Sequence, residues 1–256
     1  MALLVYVHDI VLAGNDPHAC SAFKSYLHTC FSIKDLGPLK YFLGIKVARG
    51  PKGLFLSRRK YAFEIVDESG FLGSKPSDFL MEVNHKLALA TRAPLDDVGR
   101  NPRLVGCLIY LTITRPDLCY AVHILSQFMQ APREKHMHAA YRILHCINGT
   151  PDCGLLLKAE AALQLVSFCD SDWDACPLTR RPLTGYLVTL GGSPVSWRTK
   201  KQTTVSRSSA EAEYRAMAAT VSELVWLKSL LASLGGVPYK SYAFILRQSS
   251  RDPYRQ

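Results

Sequence analysis

Hydrophobic and polar positions alternate in short blocks along this chain, and the block lengths divide it. Near the start, "LVYVHDIVL" (Leu4 to Leu12) sets two apolar runs around a polar His8-Asp9 centre, the pattern of a tight β-hairpin. Gly14-Asn15-Asp16-Pro17 then makes a turn, and residues 18–31 place Phe23, Tyr26, Leu27 and Cys30 on one helical stripe. Leu39 to Ser57 reads as two strands joined by Arg49-Gly50-Pro51-Lys52-Gly53. A helix is predicted from about Arg59 to Glu68.

Residues 74–101 show little periodicity, with Pro76 and Pro94 inside and Pro102 just beyond, and they read as a linker. Two helices follow. One begins after Pro116 with Leu118, Ala121, Val122 and Leu125 on its apolar face; the other starts near Arg133 with Met137, Ala140, Leu144 and Ile147. From Gly154 the pattern changes to short β-rich segments: 154–158, 163–169, 185–190, 194–197 and 202–206. A long helix is then expected from Ser208 to about Leu234, closed by Gly235-Gly236 and Pro238. The expected class is α/β in the mixed, α+β sense.

Composition narrows the function classes. The chain has 256 residues, 48% hydrophobic and 20% charged, which suits one large or two small domains with real cores and not a disordered segment. Its apolar runs are too short to span a membrane, and the N-terminus lacks the marks of a signal peptide. Eight cysteines include no Cys-x-x-Cys pair, which argues against a zinc ribbon and, with no secretory signal, for a reducing intracellular setting. His136 and His138 are too close in sequence to share a helix face and read as packing or surface residues. The net charge of +10 is spread over runs that alternate with apolar strands, which points to a polyanionic partner such as nucleic acid. "SWRTKKQTT" is the leading contact segment, with Arg198, Lys200, Lys201 and nearby Arg207 as candidate phosphate contacts.

A second acidic constellation lies in the strand-rich section. "FCDSDWD" ends a strand with Asp170, Asp172 and Asp174 at equal parity, so they share a face while the chain stays extended. In the long helix, Ser208-Ser209-Ala210-Glu211 forms a capping box, so Glu211 has a structural task. The apolar stripe of Met217, Thr220, Leu224, Leu227 and Leu231, extended backwards, reaches Glu213 in the first turn. That carboxylate is either stabilised by the helix N-terminus or held for a metal. Carboxylates from two elements in a basic protein suit Mg²⁺, and two such ions can clamp a phosphodiester for attack by water.

Several long motifs carry a resemblance. "LLVYVHDIVLAGND", "DLGPLKYFLGIKVA", "LVGCLIYLTITRPDLCYAV", "CDSDWDACPLTRRPLTGY", "SWRTKKQTTVSRSSAEAEYRAMA" and "ELVWLKSLL" stand in collinear order from residue 3 to about 240. Together they resemble the Pol polyprotein of copia-type LTR retrotransposons, the plant kind in particular. The resemblance implies three sections: 1–57, the end of a reverse-transcriptase palm with its hairpin and primer-gripping strands; 58–158, a thumb and connection region; and 159–256, an RNase H-like domain truncated at its C-terminus. It implies DNA synthesis and cleavage of the RNA strand of an RNA–DNA hybrid, both with Mg²⁺ or Mn²⁺. It makes Asp9 part of the polymerase hairpin, Asp170 and Glu213 metal ligands of the RNase H site, and Asp172 a further candidate. The setting it implies is intracellular, in a cytoplasmic virus-like particle or the nucleus.

The departures from that family are specific. Its hairpin reads Tyr-Val-Asp-Asp, so His8 stands where the first Asp belongs, and imidazole suits softer ions than Mg²⁺. An earlier palm strand with another Asp, and a fourth acidic residue of the RNase H site, fall outside the sequence. Aligning Gln248-Ser249 with the family's Gln-Ser puts Leu246 at the third RNase H Asp position. The expectation is a polymerase-dead, RNase H-impaired fragment, the alternative being a non-catalytic nucleic-acid-binding remnant.

Overall fold

A computed structural model describes residues 1–82, 85–89, 97, 99–173, 179–235 and 243–246. It is an α+β structure with three separate sheets. The first is a hairpin of β1 (Ala2–Tyr6) and β2 (Asp9–Ala13), in antiparallel register from Ala2↔Ala13 to Tyr6↔Asp9. Val7 and His8 form its two-residue turn, with Val7 at φ 50°, a left-handed conformation that a β-branched residue rarely takes. α1 (Pro17–Cys30) follows. Asp16 caps it, its carboxylate accepting from the His18 and Ala19 amides at 2.9 and 3.1 Å, and Pro17 fills the first helical position. None of its residues is buried.

The second sheet has the order β3-β4-β5-β6. β3 (Tyr41–Phe42), β4 (Ile45–Gly50) and β5 (Gly53–Ser57) run on from each other; the first of the two strands expected from the sequence is split by a turn at Leu43-Gly44 into β3 and β4. β6 (Gly154–Lys158) comes from about a hundred residues later and pairs antiparallel with β5, from Gly53↔Lys158 to Ser57↔Gly154. The run at 154–158 therefore completes this sheet and does not join the strands that follow it. Two glycines allow the close pairing: a Cβ on Gly53, at φ 135°, would strike the Leu157 carbonyl, and one on Gly154 would strike that of Leu56.

Between β5 and β6 lie α2 (Arg59–Glu68), α3 (Arg100–Leu111), α4 (Cys119–Ser126) and α5 (Glu134–Gly149). They enclose the larger core, with Val105, Leu108, Leu118, Leu125, Ile143, Leu144 and Ile147 all essentially inaccessible. The linker reading of 74–101 needs one correction at its end. Residues 100–111 form a helix where the sequence pattern shows only a break at Gly99-Arg100-Asn101-Pro102. The reason is positional: Pro102 falls in the first turn, where its missing N–H costs nothing.

The third sheet, β10-β7-β8-β9, is mixed. β7 (Leu165–Asp172), β8 (Leu183–Leu190) and β9 (Ser193–Lys201) are an antiparallel meander, and β10 (Ala243–Leu246) joins β7 in parallel. α6 (Ser209–Ser233) packs on one face through Leu224 and Leu227 against Leu165 and Val188. The opposite face meets the helical core, where Leu183 joins the buried cluster and the Trp197 indole donates to the Thr112 carbonyl at 3.1 Å. The strand expected at 202–206 is absent. Gln202 instead ends the sheet: its side-chain amide donates to the Ala212 carbonyl (2.9 Å) and Thr184 Oγ1 (3.0 Å), and its own oxygen accepts from Ser206 Oγ (3.3 Å). The chain turns there toward α6.

Candidate nucleic-acid interface and carboxylate sites

The end of β7 and the start of α6 are stitched together. Trp173 Nε1 donates to the Ser206 carbonyl at 3.0 Å, and Gln202 links β8 to the first turn of α6. Ser208 caps α6, its hydroxyl accepting from the Glu211 amide at 3.2 Å. Glu211 accepts in turn from the Arg207 amide at 2.8 Å, one residue earlier than the strict capping box, and pairs with Arg215 at 2.9 Å. These partners hold the Glu211 carboxyl below the usual range, the Arg207 amide first. Glu211 is structural, as the sequence suggests.

Alternation along β7 then separates the candidate ligands. Leu165, Ser167 and Cys169 are buried, on the face covered by α6. Phe168, Asp170 and Asp172 belong to the opposite, exposed set, so the equal-parity reading holds for the two described aspartates; Asp174 lies outside the described residues. Asp170 Oδ1 accepts from the Ser171 amide at 2.8 Å. Glu213 is half-buried at the margin of the α6 stripe, whose buried line runs through Ala212, Ala216, Thr220, Leu224 and Leu227. Both carboxylates act electrostatically on the Cys169 thiol. Burial pushes that thiol up, and the charges of Asp170 and Glu213 add to the rise, against a hydrogen bond with Thr220. The β10 backbone sets residue 246, a leucine, in register with Cys169.

Among the described residues, no group of three or more His, Cys, Asp or Glu side chains is arranged to hold a metal ion. The hairpin offers Asp9 beside His8, and the β7–α6 junction offers Asp170, Asp172 and Glu213. The carboxylates are hard oxygen donors of the kind Mg²⁺ takes, and the His8 imidazole is not.

The basic candidates lie together at one edge. β9 is the outer strand of its sheet, where Arg198 and Lys200 are exposed; Lys201 reaches Thr179 Oγ1 at 3.3 Å, and Arg207 is exposed in the segment before α6. Residues without a site role in the sequence reading lie beside them. A cleft of about 510 Å³ separates α3 and α4 from β9, lined by Val122, His123, Trp197 and Arg198 among others. His123 Nε2 is buried there without a hydrogen-bond partner. Burial lowers the His123 pKa, and the charges of Lys201 and Arg198 lower it further. The Trp in "SWRTKK" was the only sequence sign of this cleft. His123 sits on a helix that reads as core.

An exposed carboxylate hairpin followed by an α+β body is the outline of a reverse-transcriptase-class chain. The family model for reverse transcriptase (RNA-dependent DNA polymerase) matches residues 1–82. The chain is 44% identical over 233 residues to the retrovirus-related Pol polyprotein from transposon RE1 of Arabidopsis thaliana, covering 91% of this chain and 16% of that polyprotein. It is 43% identical over 226 residues to an uncharacterized mitochondrial protein of Arabidopsis thaliana, covering 88% of this chain and 94% of that protein. A putative transposon Ty5-1 protein of Saccharomyces cerevisiae is 31% identical over 226 residues, with 73% of its length covered. The chain belongs to the copia-type retrotransposon Pol family. It spans about 16% of the length of the RE1 polyprotein and nearly all of the mitochondrial relative. No solved structure matches it. No described helix is long and apolar enough to cross a membrane.

Proposed function

We propose that this chain is a nucleic-acid-binding member of the Pol family that has lost DNA synthesis and retains little or no RNase H cleavage. The observation that carries the reading is the pairing of a basic edge with incomplete carboxylate sets. Arg198, Lys200 and Arg207 are exposed along β9 and the segment after it, the geometry for contacting phosphates along a strand or hybrid. The acidic sets are short of ligands: His8 takes a carboxylate position in the hairpin, and a leucine stands in register with Cys169 beside Asp170. Mg²⁺ at Asp170 and Glu213 is then weakly held, and the two-ion clamp on a phosphodiester does not form. An intracellular setting is part of the same proposal.

The purified chain, incubated with an RNA–DNA hybrid and Mg²⁺ or Mn²⁺, tests this. Expected are hybrid binding that weakens steeply with salt, no primer extension, and no hybrid cleavage above that of Glu213→Gln. Cleavage that disappears in Glu213→Gln would overturn the loss of RNase H function, and extension that disappears in Asp9→Asn would overturn the loss of synthesis. Failure to bind any nucleic acid would sink the binding role itself.

A further inference from the structure

The cleft between α4 and β9 has features that the proposed function leaves unused. Its walls are apolar where Ile113, Val122 and Val195 face it, and Trp197 forms part of one side. Its indole N–H donates to the Thr112 carbonyl at 3.1 Å, which helps hold the ring in place. A fixed aromatic surface is a stacking platform obtained without ordering cost. The polar groups are few and specific. His123 lines this cleft, and its Nε2 is shielded from solvent without a hydrogen-bond partner, whereas most buried polar side-chain atoms in folded proteins have partners. Arg198 lines the mouth, and Arg198 and Lys201 both act electrostatically on the imidazole, so the cleft is positive. The volume of about 510 Å³ lies within the range of small-ligand sites and suits one nucleotide, not a duplex.

We infer that this cleft takes one unstacked nucleotide of a single-stranded nucleic acid, with its base against the Trp197 wall, its polar edge toward the His123 imidazole and its phosphate toward Arg198. The chemistry matches part by part. A base brings a flat apolar face together with donor and acceptor atoms on its rim. A neutral imidazole nitrogen can serve either kind of atom. The phosphate brings the charge that the cleft mouth lacks. A strand lying along the exposed β9 edge would present nucleotides to this opening, so the inference rests on the nucleic-acid-binding reading and names a site within it. Two other features carry less. The Ser74–His145 hydrogen bond (3.0 Å) has no carboxylate partner to the imidazole among the described contacts, and the buried Arg58 is already occupied by the carbonyls of Leu43 and Tyr110.

The test uses the full chain and a fluorescent single-stranded oligodeoxyadenylate, with an RNA–DNA hybrid measured in parallel. Ile113→Trp fills the cleft from a half-exposed position, where the fold tolerates added volume. His123→Ala removes the orphan nitrogen. Each is expected to weaken single-strand binding about tenfold, the scale of one lost stacked base, and to leave hybrid binding within about twofold. In the NMR spectrum the oligonucleotide should shift the Trp197 indole N–H and the His123 ring signals, assigned by comparison with Trp197→Phe and His123→Ala. Free AMP should shift the same signals only at much higher concentration; shifts at equal concentration would overturn the strand assignment in favour of a mononucleotide site. Single-strand binding unchanged in both variants, with hybrid binding intact, would overturn the cleft alone. Loss of both kinds of binding in the unmutated chain would instead overturn the broader reading.

Discussion

His136 shows how one residue's chemistry reaches the stability of the fold. Its Nδ1 accepts from the Arg133 amide at 2.9 Å, so the proton sits on Nε2, which donates to the Leu87 carbonyl at 3.1 Å. The ring also stacks on Phe128, with centroids 4.3 Å apart. It is a buried residue that caps its helix. Burial first, then the Arg133 charge, hold its pKa below the ordinary 6.5, against the Leu87 hydrogen bond. A histidine with a lowered folded pKa stabilises the fold in its neutral form. That stability is complete above 6.5 and is lost as pH falls through 6.5 toward the folded value. Urea titrations at neutral and mildly acidic pH should show the loss, and His136→Ala should flatten it while costing about 1–3 kcal/mol at neutral pH. His85 and His123 are shifted down by burial as well, so part of the acid sensitivity remains in that variant.

At the scale of elements, two junctions decide how the segments are joined. Gln202 holds β8 and α6 together through one amide, and Gln202→Ala leaves the Ala212 carbonyl and Thr184 hydroxyl without that donor. The expected cost is about 1–3 kcal/mol, read as a lower denaturation midpoint with an unchanged slope. The β5–β6 pairing depends on Gly53, where a side chain meets both a positive φ and the Leu157 carbonyl. Gly53→Ala should cost at least about 2 kcal/mol and expose the β6 amides to hydrogen exchange. Neither junction was legible in the sequence. The run at 154–158 reads as a strand, but its partner at 53–57 depends on the whole helical core between them. The run at 202–206 has a strand's composition, but its glutamine and serine bond to other elements. Helix 100–111 was hidden for a simpler reason, because Pro102 looks like a break and occupies a first turn.

Over the whole molecule, burial is unevenly shared. The helices α2–α5 enclose most of the core, whereas Leu4, Val5 and Tyr6 of β1 are each more than half exposed in a hairpin that, among the described residues, pairs with no other strand. An apolar, two-stranded ribbon of this kind is an adhesive edge. Val5→Lys should reduce concentration-dependent self-association in light scattering and change the unfolding free energy by no more than about 0.5 kcal/mol, because no core is touched. A drop in stability well beyond that would mean the hairpin is packed in solution.

The sequence by itself determined the elements whose periodicity is local: the hairpin, α1, α2, α4, α5 and α6, the strands at 41–57, and the equal parity of Asp170 and Asp172. Its motifs also determined the family, since long collinear matches do not depend on how the chain folds. Only the tertiary structure decided which strands share a sheet, that Asp170 and Glu213 both act on the Cys169 thiol, and that His123 and Trp197 line one cleft. These are relations between residues far apart in the chain. They are set by which apolar faces bury each other, and no short window of sequence contains that information.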